Sequence, residues 1–165
     1  MRSVHVNLSA LELRQGDLID TVRGAIENAG IAPSDLVLEI TESQLLEDAE
    51  HSVAALHALR ALGVRLALDD FGTGYSSLSY LHSLPLDILK IAKPFVDRVA
   101  EASHDSFVRM MIDLAKALEL EVIAEGIETA EQVEALRILQ FSFGQGFFLA
   151  RPQAAASSQD TAPTS

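Results

Sequence analysis

Short apolar runs that each end on a polar or charged residue recur along this chain, and helix-like segments separate them. The runs are VHVNLS, LVLEIT, RLALDD, DILKIA, EVIAEG and FSFGQG, and their polar ends are Asn7, Glu39, the pair Asp69 and Asp70, Lys90, Glu125 and Gln145. Helical patterns run from Asp17 to Asn28, Ala49 to Leu62, Ser76 to Leu81, Asp105 to Leu118 and Ala130 to Leu139. Strand and helix in strict alternation predict a parallel sheet with helices packed outside it. In a parallel β/α barrel the strand C-termini converge on one face, where sites are built. The polar ends are therefore expected together.

Two boundaries are well marked. Thr129 followed three residues later by Gln132 is a capping-box pattern that opens the last helix. Gly63 sits where a left-handed residue would stop the second. The strand count comes to about six, whereas a closed barrel takes eight and runs to about 250 residues. The 165 residues therefore predict an incomplete α/β barrel over 1–152. The segment 153–165 has little to bury beyond alanine and is expected to be a disordered tail.

Charge narrows the partners. Twenty-four acids against twelve bases give a net charge of -12, so no nucleic-acid polymer is expected as a partner. Cysteine is absent, which excludes disulfides and thiolate metal sites and fits a reducing compartment. No apolar run approaches about 18 residues and the first residues form no leader pattern, so the expected location is the cytoplasm.

The most specific stretch is Asp69-Asp70 with the loop FGTGYSSL behind it. Adjacent carboxylates at a strand end can each hold a divalent cation or bridge two, while Gly72 and Gly74, flanking Thr73, let the loop turn beside a ligand. The structural alternative is a helix cap followed by a plain turn. Glu39 closes an apolar strand, and Glu42 suits a loop anchor better than a ligand. Asn7 alone would read as a turn residue. Lys90, between Leu89 and Ile91, is expected to enter the barrel mouth and to need carboxylates around it. Of Glu125 and Glu128, one suits a base or ligand and the other a role near the helix cap. His5 shares strand parity with Asn7 but has no second histidine at ligand spacing. With no GxGxxG, Walker or GxSxG pattern, metal-assisted hydrolysis or elimination is the chemistry left.

The motifs NLS, EITES, DDFGTGYSSL, LKI, AEGIET and QGFFLARP, in this order from Val4 to Pro152, resemble those of the EAL domain, the bacterial cyclic di-GMP phosphodiesterase family. The resemblance implies hydrolysis of cyclic di-GMP to pGpG with two Mg2+ or Mn2+ ions. It implies that Asn7, Glu39 and Asp69 ligate metal, that Asp70 serves the second metal, and that Lys90 and Glu125 position and activate the attacking water. It also implies that Glu42 holds the DDFGTG loop and that Glu128 and Gln145 complete the site.

Three departures from the family pattern stand out. The Glu-Ala-Leu signature and the first two strands are absent, Ala92 replaces the aspartate of the LKID segment, and Gln140-Phe141-Ser142 replaces Gly-Cys-Asp. The expectation is thus a hydrolase impaired or inactive as this chain. The alternatives are a non-catalytic module that binds cyclic di-GMP or a diguanylate-cyclase-type or sensory partner, and a remnant of a longer protein. Val4, Val6, Leu66 and Leu68 are expected to line the barrel interior. The open edges at Val4 to Leu8 and Phe143 to Phe148 are expected to drive self-association.

Overall fold

The computed structural model describes residues 3–47, 49–73, 78–100, 105–141 and 143–151. Gly74, Ser142 and the expected tail lie outside them. Among the described residues six parallel strands form one sheet in sequence order. They are β1 (Val4–Asn7), β2 (Leu36–Thr41), β3 (Arg65–Phe71), β4 (Ile88–Ile91), β5 (Glu121–Ala124) and β6 (Phe143–Gly144). The helices are α1 (Ala10–Leu13), α2 (Leu18–Ala29), α3 (Glu42–Glu47), α4 (Ala49–Ala61), α5 (Leu78–Ser83), α6 (Lys93–Val96), α7 (Asp105–Ala117) and α8 (Ala130–Ile138). The result is a curled, incomplete β/α barrel in which β1 and β6 are not paired to each other.

Strand parity divides the core in two. Register places Val6 beside Leu38 and Leu38 beside Leu66, and this row faces the helices. There Leu38, Ile40, Leu66, Leu68, Leu89 and Ile91 join Leu56, Leu59, Met111 and Ile112 in the main apolar cluster. The other face, toward the barrel interior, carries a small cluster of Val37, Ala67 and Ile88 with Ile123 against it. The expected interior positions of Val4, Val6, Leu66 and Leu68 are therefore corrected. Leu66 and Leu68 are buried under helices, while Val4 and Val6 point the same way but are 53% and 43% exposed. The residues that do face the interior share parity with Asn7, Glu39, Asp69 and Lys90.

The boundaries expected for the helices at Asp17 to Asn28, Ala49 to Leu62, Asp105 to Leu118 and Ala130 to Leu139 hold within one residue, and the start expected at Ser76 lies outside the described residues. The Thr129 hydroxyl accepts from the Gln132 N–H in a complete capping box, and Gly63 takes a left-handed φ of 91°. The last strand is shorter than expected. It ends at Gly144 because the chain turns at Gly146, whose backbone lies against Ile127 so closely that a Cβ would fall 2.2 Å from the Ile127 nitrogen. Gln145 still bridges the gap, donating to Ala124 O at 2.8 Å and accepting from Ile127 N at 3.0 Å.

Candidate active site

Four strands deliver one charged cluster at their C-terminal ends. The Lys90 side chain, only 2% exposed, sends Nζ to Glu125 Oε1 at 2.6 Å, Glu39 Oε2 at 2.8 Å and Asp69 Oδ1 at 3.1 Å. A lone ammonium in an apolar strand would be pushed toward neutrality. Burial does press Lys90 down, but its hydrogen bonds to Glu125 and Glu39 and the charges of Glu125 and Asp69 outweigh it and hold the amine above the ordinary lysine range. Burial pushes the Glu125 carboxyl up from its ordinary value near 4.5, and the charges of Asp69 and Glu39 add to this against the pull of Lys90. Three acids share one cation, so the cluster keeps an excess of negative charge.

That excess has an opening for a cation. Asp69, Asp70 and Glu125 each offer a carboxylate oxygen, and these oxygens lie within 4.8 Å of one another. The donor set is all hard oxygen, which suits Mg2+ or Mn2+ rather than a thiophilic metal. Asp70 reaches it through a left-handed backbone with φ 54°, and its N–H donates to Asp69 Oδ1 at 2.9 Å. Behind the pair, Glu42 is 3% exposed and its Oε2 accepts the Gly72 N–H at 3.2 Å. The Thr73 hydroxyl donates to Asp70 O at 2.8 Å. Gln145 donates from Nε2 to Glu125 Oε1 at 2.6 Å.

Two sequence-picked residues stand farther out. Asn7 is exposed at the end of β1, beside Glu39 in register. Glu128 pairs with Lys93 at 3.2 Å, and the helix cap is supplied by Thr129 and Gln132 instead. Ala92 is fully buried at the N-cap of α6. The residue that sequence reasoning set aside is His5, whose Nδ1 lies 2.6 Å from Glu39 Oε1. Its shared parity with Asn7, on the strand beside Glu39, was the available signal.

The family model of the EAL domain matches residues 1–152. The chain belongs to the EAL domain family. It is 44% identical over 154 residues to the bifunctional diguanylate cyclase/cyclic di-GMP phosphodiesterase MucR of Pseudomonas aeruginosa, covering 93% of this chain and 22% of that protein. It is 43% identical over 150 residues to the cyclic di-GMP phosphodiesterase NbdA of the same species, covering 90% and 19%. This EAL chain thus spans about a fifth of the length of these relatives. The PaMucR phosphodiesterase in complex with c-di-GMP superposes with a TM-score of 0.87 at 44% identity, over 93% of this chain and 62% of that one. The Klebsiella pneumoniae BlrP1 complex with calcium and cyclic di-GMP superposes with a TM-score of 0.85 at 29% identity, over 91% and 39%. Among the described residues no helix is long and apolar enough to cross a membrane.

Proposed function

We propose that this EAL chain carries most of a metal-dependent cyclic di-GMP phosphodiesterase site, acting in the cytoplasm, and that as these 165 residues it binds the nucleotide but hydrolyses it poorly. The observation that carries the reading is the Lys90 ammonium held by Glu39, Asp69 and Glu125 beside the oxygen cluster of Asp69, Asp70 and Glu125. Asp69, Asp70 and Glu39, with Asn7 next to them, would hold Mg2+ or Mn2+. Cations bound there supply positive charge for phosphate oxygens and acidify a water.

The chain's own groups do the rest. Glu125, with its proton affinity raised by burial, accepts a proton from the attacking water more readily than an ordinary glutamate would. Lys90 donates hydrogen bonds that orient that water or a phosphoryl oxygen. Gln145 fixes the Glu125 carboxylate. Glu42 fixes the loop at Gly72, beside Thr73, near the substrate, and Glu128, on the same face, contributes to its rim. The unit spans 1–152, with 153–165 as a tail. Hydrolysis is poor because Ala92 offers no carboxylate and because the sheet stays open between β1 and β6. The open edges of β1 and β6 pair with further copies in solution.

A second reading, a non-catalytic cyclic di-GMP sensor or a module for a diguanylate-cyclase-type partner, is favoured by the same two features. Chromatographic measurement of pGpG release with Mn2+ decides between them. Slow release abolished by EDTA supports the enzyme, and nucleotide-induced thermal stabilisation with no release supports the sensor. Release at the rate of an intact EAL phosphodiesterase contradicts the impairment.

A further inference from the structure

Glu39 is gripped at both oxygens. Lys90 Nζ bonds Oε2 at 2.8 Å from the β4 side, and His5 Nδ1 lies 2.6 Å from Oε1 on the β1 side. A carboxylate only accepts, so Nδ1 must carry the hydrogen. In the neutral ring Nε2 is then bare and accepts from the Ser3 hydroxyl, 3.0 Å away. Ser3, His5 and Glu39 form a line along the interior face, because residues two apart on β1 share that face and Asn7 stands beside Glu39 in register. The His5 side chain is 29% exposed and that of Glu39 8%, so water competes weakly for the Glu39 oxygen.

We propose that His5 is a positioning residue that orients the Glu39 carboxylate for a divalent cation, an inference that rests on the metal-site reading above. An ionised carboxylate has about four lone-pair sites. With one on each oxygen taken by His5 and Lys90, the free ones are held in fixed directions and the side chain cannot rotate about its terminal bond. A carboxylate left with Lys90 alone can swing about that single contact. Ligating carboxylates held by hydrogen bonds of this kind lose roughly 10- to 100-fold in metal affinity when the partner is removed.

The test pairs two variants of the full chain. His5→Asn keeps an N–H donor close to the position of Nδ1, whereas His5→Leu keeps bulk and removes the donor. Two readouts are compared: calorimetric Mn2+ binding, and hydrogen exchange of the Lys90 ammonium by NMR in metal-free protein. The expected result is a loss of roughly tenfold or more in Mn2+ affinity for His5→Leu, with faster Lys90 exchange and a circular dichroism spectrum like that of the unsubstituted chain. His5→Asn should restore most of both. Equal losses in the two variants, or no loss in either, overturn the proposal. If the unsubstituted chain takes up no Mn2+, the metal site itself is overturned and the proposed purpose of the grip goes with it. An exchange contrast that persists in that case shows that the His5 contact was real and the metal reading was the error.

Discussion

Gly72 donates its backbone N–H to Glu42 Oε2 at 3.2 Å, so a buried carboxylate on the first residue after β2 fixes the turn that follows the paired aspartates of β3. Gly72 has φ 95°, and a Cβ there would fall 2.3 Å from Met111 Cε and 2.8 Å from Phe95 Cε2. Both backbone strain and overpacking oppose any side chain. Gly72→Ala is expected to cost on the order of 1–3 kcal/mol, read as a lower urea midpoint. An unchanged midpoint would show that the loop has another stable course.

Lys90 is the buried counter-charge of three acids. Lys90→Met removes it and leaves Glu39, Asp69 and Glu125 to repel one another. In EDTA the variant is expected to lose about 3–5 kcal/mol, as when one partner of a buried pair is removed. Added Mn2+ should return part of that loss. Denaturation curves that coincide with those of the unsubstituted chain in EDTA would mean that the acids are far better solvated than the packing shows.

The raised proton affinity of Glu125 fixes a sign. Its folded-state value lies above the ordinary 4.5, so in that window the folded chain binds more protons than the unfolded one. Stability from this group is then present at low pH and falls as pH rises through the folded value. Other acids such as Glu12 are shifted downward, so the informative quantity is the difference between the chain and Glu125→Gln. Measured in EDTA, the unsubstituted chain should lose stability relative to the variant as pH rises from 4.5. A difference of the opposite slope would place Glu125 under the control of Lys90 instead.

The open sheet predicts association. Val4 and Val6 are exposed on the edge strand β1, and Phe143 is 56% exposed on β6. Val6→Lys puts a charge on that edge, a usual guard against edge pairing. Light scattering should show assemblies for the unsubstituted chain and fewer for the variant. A stable monomer at high concentration would contradict this.

The strand–helix alternation was legible because the apolar runs carry a polar residue at or near their C-terminal ends, Glu39, Asp69, Lys90 and Glu125 among them. Glu42 accepts the Gly72 N–H across 30 residues of chain. What stayed hidden depends on distance along the chain. His5 meets Glu39 across 34 residues, a contact visible only once the parallel register is known. The same register turns Leu66 and Leu68 toward the helices. The four-residue helices α1 and α6 are too short for periodicity, although Ser9 and Glu12 form a capping box on α1 and Pro94 opens α6. β6 stops early because of a packing contact between Gly146 and Ile127, which no local pattern encodes.

The acids around Lys90 are proposed to form a cation-dependent site for cyclic di-GMP. Calorimetric titration of the chain with cyclic di-GMP, in Mn2+ and in EDTA, for the unsubstituted protein and for Asp69→Asn, tests it most directly. Saturable binding in Mn2+ is expected, lost in EDTA and at least tenfold weaker in Asp69→Asn, whose amide is a far weaker metal ligand than the carboxylate it replaces. Binding that is the same in all conditions, or no binding in any, would contradict it.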